Sequence, residues 1–352
     1  MAELPADLTR RPAAHAAALV CLAQLDAAHA AGLRLSDPAD SEALHDFRVA
    51  VRRLRSILRT FRSQLDDAVP KKVRNRLRDL TRATAPGRDT EVLIATVQGL
   101  EKKLTRGQRA GVPWLLARFA DRRDRAYEEI RSGLAPEFQR LERRLRKPLS
   151  VVVKEPGVVP VDEGATFGAV AGALLSEHAA LLEQELATLQ SSEDESTAHG
   201  IRITAKRLRY LLEPLVGGEP RAAAVLAQIK AIQTLLGDLH DHQVLAAQLA
   251  DAIGDAAAER ARRLHDLTLS GAARGPRATR ARPRAATTGL LALARLVRQA
   301  QDELFRRFTA AWQSGRRADL WSEVAFVATA LAAHTPLPER RSRPRPPLRA
   351  VT

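Results

Sequence analysis

Apolar residues recur at intervals of three and four along nearly the whole chain, which is the spacing of helices that bury one face. Alternating apolar and polar positions, which would indicate strands, are almost absent. The pattern therefore predicts an all-α protein. The expected helices cover 12–32, 41–66, 71–85, 89–105, 112–147, 165–190, 196–215, 220–236, 241–269, 286–313 and 317–334.

Segments rich in proline, glycine and small polar residues separate these helices. The strongest is VVVKEPGVVPVDEG at 151–164, which predicts a linker between two helical halves. The predicted organisation is an N-terminal extension (1–11), a first helical bundle (12–150), the linker (151–164), a second helical bundle (165–335) with a disordered basic insert (271–284), and a basic tail (336–352).

The two predicted halves share a sequence pattern. HDFRVAVRRLRSILR at 45–59 aligns with HGIRITAKRLRYLLE at 199–213 at an offset of 154. LRDLTRATAPGRDTEVL at 77–93 aligns with IKAIQTLLGDLHDHQVL at 229–245 at an offset of 152. Two matched blocks, in the same order and at nearly the same separation, indicate an internal duplication.

A helix over 45–65 would carry two parallel stripes of side chains. Its apolar stripe contains Phe47, Val51, Leu54, Leu58, Phe61 and Leu65. Roughly 100° around the helix, a cationic stripe contains Arg48, Arg52, Arg55, Arg59 and Arg62. The second half repeats the cationic stripe with Arg202, Lys206 and Arg209, whereas Glu213 stands opposite Arg59. Two interpretations remain open: a solvated face whose arginine stems cover apolar surface, and the border of a groove for an extended anion such as a phosphate polymer.

The formal net charge of +15 is unevenly distributed. The segments 271–284 and 339–349 contribute +5 and +4, so the rest of the chain carries about +6 and must cluster its cations to attract an anion. The single Cys21 excludes a disulfide framework and a cysteine-based zinc site, which favours a reducing cytoplasm. No signal-peptide pattern and no run of about 18 apolar residues is present, so no membrane insertion is expected.

Histidines and aspartates recur at matching positions of the two halves. His45 and His199 each precede an arginine by three residues, and three roles stay open for them: a hydrogen-bonded structural histidine, a phosphate ligand, or a catalytic or metal-binding group. Asp89 and Asp241 follow a glycine-bearing break, where we expect them to cap a helix or to orient a basic side chain. Arg88 and His240, directly before them, are candidate anion ligands at a helix N-terminus.

The chain resembles the CHAD domain, an α-helical domain with characteristic histidines. The resemblance rests on HDFRVAVRRLRS and HGIRITAKRLRY, each followed some forty residues later by RD or HD, and extends over about 12–335. It implies two antiparallel helical bundles related by pseudo-twofold symmetry, with the two basic helices facing a shared, basic central cavity. It also implies binding of inorganic polyphosphate and location at polyphosphate granules.

Candidate polyphosphate ligands come from the resemblance and from the duplication. Those that the resemblance implies are His45, Arg48, Arg52, Arg53, Arg55, Arg88, His199, Arg202, Lys206, Arg207, Arg209 and, in place of the family's usual arginine, His240. The cationic stripe adds Arg59, and the second aligned block adds Arg78 and Lys230.

The expected function is therefore non-enzymatic polyphosphate binding in the cytoplasm, without cofactor or metal. Nucleic-acid binding is the alternative, because the chain is basic and has two arginine-rich segments, although aromatic residues are only 4% of it and none interleaves with the cationic stripes. A third possibility, an enzyme that processes phosphoanhydrides, would need an acidic metal site, which the sequence does not assemble.

Overall fold

The computed structural model describes residues 4–37, 40, 42–154, 165–269, 283–312 and 317–333. Within these segments every regular secondary-structure element is a helix, which confirms the predicted all-α class. The helices are α1 (Ala13–Arg34), α2 (Ala43–Thr60), α3 (Arg62–Leu65), α4 (Lys71–Ala83), α5 (Ala85–Glu101), α6 (Val112–Lys154), α7 (Phe167–Thr188), α8 (Glu195–Leu212), α9 (Pro220–Leu269), α10 (Pro283–Trp312) and α11 (Arg317–Ala332), with short 3-10 turns at Leu8–Arg10 and Glu213–Leu215.

The starts of α1 and α7 are tied to each other through the backbone. The amide of Ala13 donates to the carbonyl of Ala165 at 3.1 Å, and the amide of Phe167 donates to the carbonyl of Arg11 at 2.8 Å. Phe167 also stacks on Phe61 at the end of α2, with 4.6 Å between the ring centroids. The beginning of the chain is thereby fixed against the helix that follows 151–164.

Helix pairing follows the same order on both sides of 151–164. In the first part, α1 packs on α2 and α6, and α5 packs on α6. In the second part, α7 packs on α8 and α11, and the long α9 packs on α10. Helix α2 also contacts α8, so the two helices that bear the first pair of aligned sequence blocks are neighbours.

The buried apolar side chains form two clusters. The larger one includes the apolar faces of α1, α2, α4, α7 and α8, and it reaches Leu80 in α4 and Leu239 in α9. The smaller one begins at Leu93 in α5 and at Leu245 in α9, and it adds the first turns of α6 and the first half of α10. Residues 81–92 and 240–244 pass from the larger cluster to the smaller one and therefore lie at the junction between two hydrophobic cores, which the middle parts of α6 and α10 also cross.

Several predicted helix boundaries are wrong. The predicted break at 84–87 is shorter than expected: α4 ends at Ala83 and α5 already begins at Ala85, with Pro86 in its first turn, where the missing N–H is not needed. The predicted break near Gly237 is absent, because α9 is continuous there. A glycine inside a helix lowers its stability by only about 1 kcal/mol, and the buried Leu236 and Leu239 hold this part of α9 on the core.

Helix α6 continues past its predicted end at 147. Pro148 lies within it, and Leu149 and Val152 keep the following turns on the core. The first residues of the predicted extended linker, 151–154, are consequently helical. Conversely, the single helix predicted for 41–66 is interrupted at Phe61, whose fully buried ring anchors the turn between α2 and α3. The remaining linker, almost all of the insert 271–284 and the tail 336–352 lie outside the described residues.

Two described helices are long and apolar enough to cross a bilayer by length and composition alone: α1, and α9. Helix α1 packs within the larger core between α2, α6 and α7. Many of its apolar side chains, including Leu25 and Cys21, are buried there, whereas Leu33 near its end is exposed. Core helices of this kind pass the same test.

Candidate functional site

Helix α2 buries its apolar stripe as the sequence predicts. All six predicted members, from Phe47 to Leu65, are buried, and so are the second-half counterparts Ile201, Ala205, Leu208 and Leu212. The cationic stripes therefore lie beside the core. Because α2 and α8 are in contact, their cations approach each other.

Arg48 is the deepest of the predicted cationic ligands, with only 4% of its surface exposed. Its Nη1 donates to Thr84 Oγ1 at 3.0 Å and to the Thr81 carbonyl at 3.4 Å, and its Nη2 lies 3.7 Å from Asp89 Oδ1. Burial and, after it, the charge of Arg52 together lower the pKa of Arg48 to about 10. The geometry thus fastens α2 to the junction of α4 and α5 through this guanidinium.

Around Arg48 lies a group of cations that we call the cationic cluster. Its members are partly or fully exposed, and they lie on or beside the facing sides of α2 and α8. They are Arg52, Arg55, Arg59, Arg82, Arg202, Lys206 and Arg207. In the described part of the chain, none of them has a carboxylate within 4.0 Å.

Arg52 is the centre of the cluster. Its charge lowers the pKa of Arg202 and of Lys206 on α8 as well as that of Arg48 and Arg55 on α2, in each case after the larger effect of burial. Burial and the neighbouring arginines bring the pKa of Lys206 down to about 8. One set of positive charges is therefore shared by the two halves.

The cluster extends in two directions from Arg52. Towards α4, Arg55 lies near Arg78 and Arg82, both exposed. Arg82 was not among the predicted ligands, although its i,i+4 spacing from Arg78 could have indicated it. Towards α7, Arg59 and Arg207 repel each other across the two helices.

His178 of α7 lies beside Arg59 and Arg207, although no sequence pattern singles it out. Burial lowers its pKa, and the two arginines lower it further. Its ring Nδ1 is buried without a hydrogen-bond partner among the described residues. A neutral imidazole with one unused nitrogen therefore borders the cluster at this end.

At the opposite end, the histidines of the two aligned blocks meet. The ring centroids of His199 and His240 are 6.0 Å apart. Burial lowers the pKa of His240 to about 4, with Arg202, His199 and Lys206 adding to the effect, so His240 is neutral at pH 7. The pKa of His45 is also lowered, first by burial and then by the charge of Arg88.

Asp89 and Asp241 lie inside helices, so the prediction that they cap helix N-termini is wrong. Asp89 is in the second turn of α5, and Asp241 is in the middle of α9. Both instead face arginines: Asp89 pairs with Arg48, and the charge of Asp241 raises the pKa of Arg202 against its burial. Burial raises the pKa of Asp241 itself. Their role is to orient basic side chains, the other role expected of them.

Other predicted ligands have intramolecular partners. Glu213, only 11% exposed, lies 2.6 Å from Arg53 and 2.8 Å from Arg209, and it neutralises both at the interface of α2 and α8. Arg88 donates to Glu91 at 2.9 Å, and Arg78 donates to Asp79 at 3.3 Å.

Lys230 is exposed on α9, and no described interaction joins it to the cluster. The structure thus brings together most of the predicted polyphosphate ligands. Lys230 lies apart from them, and Arg53 and Arg209 form ion pairs with Glu213.

The surroundings of the cluster bear on other kinds of site. In the described residues, no group of three or more histidine, cysteine, aspartate or glutamate side chains is arranged to hold a metal ion. A cavity of about 880 Å³ opens between α6 and α9 next to Pro86, but its charged lining is balanced: Arg118, Arg122, Arg125, Asp121, Glu129 and Glu259. The positive charge of the cationic cluster, by contrast, has no carboxylate at ion-pair distance among the described residues.

The fold and the site define a helical protein in which unpaired cations of two contacting helices, α2 and α8, form one cluster. The model of the CHAD domain family matches residues 16–250, more than half of the chain, and the protein belongs to this family. The match runs from α1 to the part of α9 that packs in the smaller hydrophobic cluster, and it includes every residue of the cationic cluster.

Solved structures agree with this fold. The CHAD domain from the plant Ricinus communis is 21% identical and has a TM-score of 0.56, covering 90% of this chain and 92% of that one. PptA from Streptomyces chartreusis is 20% identical and has a TM-score of 0.58, covering 86% of this chain and 100% of that one. A search of curated proteins gave no match.

Proposed function

We propose that this protein binds inorganic polyphosphate through the cationic cluster, without catalysing a reaction on it, in the cytoplasm and at polyphosphate granules. The observation that carries the proposal is that Arg52 shares one electrostatic environment with Arg202 and Lys206 of the other half. Membership of the CHAD domain family, which is associated with polyphosphate, supports the choice of anion.

The energetics of the cluster favour a polyanion. Partly buried like charges repel one another and lose hydration, which costs stability in the free protein. A phosphate chain would lie along both helices, accept hydrogen bonds from the planar guanidinium groups, and release its counterions on binding. A single small anion would neutralise only a part of the cluster, whereas an extended one can contact the cations from Arg55 to Lys206.

An internal duplication accounts for this arrangement. The equivalent pairing of α1 with α2 and α7 with α8 supports it, as do the matched sequence blocks. A pseudo-twofold relation would bring equivalent basic helices to one axis, where the polymer would be held from two sides. In this proposal the two Asp residues keep the arginines oriented and take no part in proton transfer.

Titration with long-chain polyphosphate tests the proposal. A cluster variant, in which Arg52, Arg55 and Arg202 are changed to Gln, is compared with a control variant that removes three exposed cations elsewhere: Lys102, Lys103 and Arg106. We expect the cluster variant to lose about tenfold or more in affinity and its slope of log K against log salt to decrease by about 2, since each cation contributes about 0.7 on a single-stranded polymer. Equal affinity of the two variants would refute the site.

Two further measurements test the remaining parts. Incubation with polyphosphate and Mg²⁺ or Mn²⁺ should release no phosphate, and release that depends on the cluster would make the protein an enzyme. A fluorescent fusion should co-localise with granules in the wild type and lose that position in the cluster variant. Displacement of polyphosphate by single-stranded RNA or DNA at equal phosphate concentration would instead favour nucleic-acid binding.

A further inference from the structure

A second group of cations lies on the outer side of the first half, on α6 and α4. This outer basic face consists of Arg76, Arg140, Arg143, Arg144 and Lys147, all of them exposed. On α6 the residues follow helical spacing, so they project from one side, and the row from Arg140 to Lys147 is about 10 Å long. The buried side of the same helix holds Leu141, Leu145 and Leu149 in the core.

Two contiguous grooves are built on this face. One of about 380 Å³ is lined by Arg140, Arg143, Arg144, Lys147 and Pro148. The other, of about 500 Å³, lies between α4 and α6 and is lined by Arg76, Glu137, Arg140, Leu141 and Arg144. Because Arg140 and Arg144 border both, the grooves form one continuous surface.

The charge of this face is not neutralised within the described residues. None of its five cations has a carboxylate at ion-pair distance there, whereas neighbouring Arg146 and Arg74 are paired with Asp26 and Asp66. Glu137 is the one acidic side chain in the lining of the two grooves. Unpaired arginines that line a groove can donate hydrogen bonds to the oxygen atoms of a phosphate chain lying in it.

Helix α4 connects this face to the cationic cluster. Arg78 and Arg82 of α4 lie near Arg55 of the cluster, while Arg76, two residues earlier, points into the groove with α6. An extended anion that leaves the cluster beside Arg82 therefore needs only to cross α4 to reach Arg76. The lining of both grooves contains no aromatic side chain, so it lacks the stacking surface that single-stranded nucleic acid uses.

We propose that the outer basic face is a second polyphosphate-binding site, which engages the part of a long chain that extends beyond the cationic cluster. The inference rests on the proposed function. It makes affinity depend on chain length, because a polymer held at the cluster meets the outer face at a high effective concentration. Tripolyphosphate is too short to contact both.

The test compares a face variant, in which Arg140, Arg143 and Arg144 are changed to Gln, with the control variant at Lys102, Lys103 and Arg106. All six residues are exposed, and unfolding curves verify that both variants fold. For long-chain polyphosphate we expect the dissociation constant of the face variant to rise about tenfold and its salt slope to fall by about 2. Its affinity for tripolyphosphate should equal that of the wild type.

The remaining outcomes separate the two proposals. If the face variant matches the control with the long chain while the cluster variant loses both ligands, the outer face is refuted and the proposed function stands. If the wild type binds neither polyphosphate, both fail. If the face variant loses affinity for single-stranded DNA or for anionic vesicles and keeps its affinity for long polyphosphate, the face serves another partner and the inference is overturned.

Discussion

Replacing Lys206 by Met is expected to stabilise the free protein and weaken its binding. Lys206 is partly buried in α8, and burial together with the charges of Arg202 and Arg52 lowers its pKa from 10.5 to about 8. The ammonium group is therefore held in the folded protein at an energetic cost. Methionine has nearly the same length and no charge, so it can fill the same space beside the core.

The difference between the pKa of Lys206 in the unfolded and in the folded protein sets the size of the expected stabilisation. At about 1.4 kcal/mol for each tenfold change in proton affinity, the fall from 10.5 to about 8 corresponds to an upper limit of about 3 kcal/mol. Because the side chain still reaches solvent, we expect about 1 to 2 kcal/mol of stabilisation at pH 7. Urea unfolding without polyphosphate measures it, with Lys102→Met as the exposed control.

The dependence on pH identifies the cause. Unfolded Lys206 keeps its proton up to pH 10.5, whereas the folded residue loses it near pH 8, so the cost of the charge is complete below about 8 and disappears as the pH rises towards 10.5. The advantage of the Met variant should shrink over the same interval. A variant that is less stable than the wild type at pH 7, or an advantage that is constant with pH, would refute the reasoning.

Binding should change in the opposite sense. Polyphosphate favours the protonated amine, so wild-type affinity is complete below about pH 8 and declines as the pH rises through the pKa of Lys206 in the complex. The Met variant should bind several-fold more weakly at pH 7 and show a smaller decline between pH 7 and 10. Isothermal titration in two buffers of different ionisation enthalpy should detect proton uptake near pH 8 in the wild type only.

Three other substitutions test the surroundings of the site. Arg48→Ala should lower the free energy of unfolding by about 2 to 4 kcal/mol, because it removes buried charge-assisted hydrogen bonds to Thr84 and leaves a void, and a loss below about 1 kcal/mol in urea unfolding would contradict this. Glu213→Gln should raise affinity for polyphosphate several-fold by freeing two arginines, while lowering stability by about 1 kcal/mol; weaker binding in the titration would argue against it. Gly289→Ala should cost at least about 2 kcal/mol, since a Cβ there would overlap the carbonyl oxygen of Ala110, and an unchanged thermal midpoint would show that the loop moves aside freely.

Helical periodicity and the internal repetition of the sequence predicted those features of the fold that depend on local spacing along the chain. The helical class and the burial of Phe47 and Leu54 follow from spacing on a helix, whereas the approach of the two basic helices, seen at Arg52 and Arg202, was implied by the family resemblance. Family membership was likewise visible in the two matched blocks. Local patterns sufficed here because an apolar stripe fixes the orientation of every other side chain on the same helix.

The sequence failed where tertiary packing overrides local signals. Gly237 suggested a break, but buried leucines on both sides keep α9 continuous. The cationic stripe did not reveal that Arg48 is internal, because its partners Thr81 and Thr84 come from another helix. His178 could not be found either, since its relation to Arg207 exists only after α7 packs on α8.

The position of the site explains how a stable fold can hold unpaired cations. The polar segments 81–92 and 240–244 pass between the two hydrophobic clusters, which α6 and α10 also connect. Arginine stems can cover apolar edges at such a junction while their guanidinium groups stay partly hydrated. Glu213 neutralises Arg53 of α2 and Arg209 of α8, which limits repulsion between the two helices without reaching Arg52 or Lys206. Within the cluster, the cations that remain unneutralised are those at which the proposed polyanion would remove the most repulsion, so we expect stability of the free fold and affinity for the polymer to oppose each other at these positions.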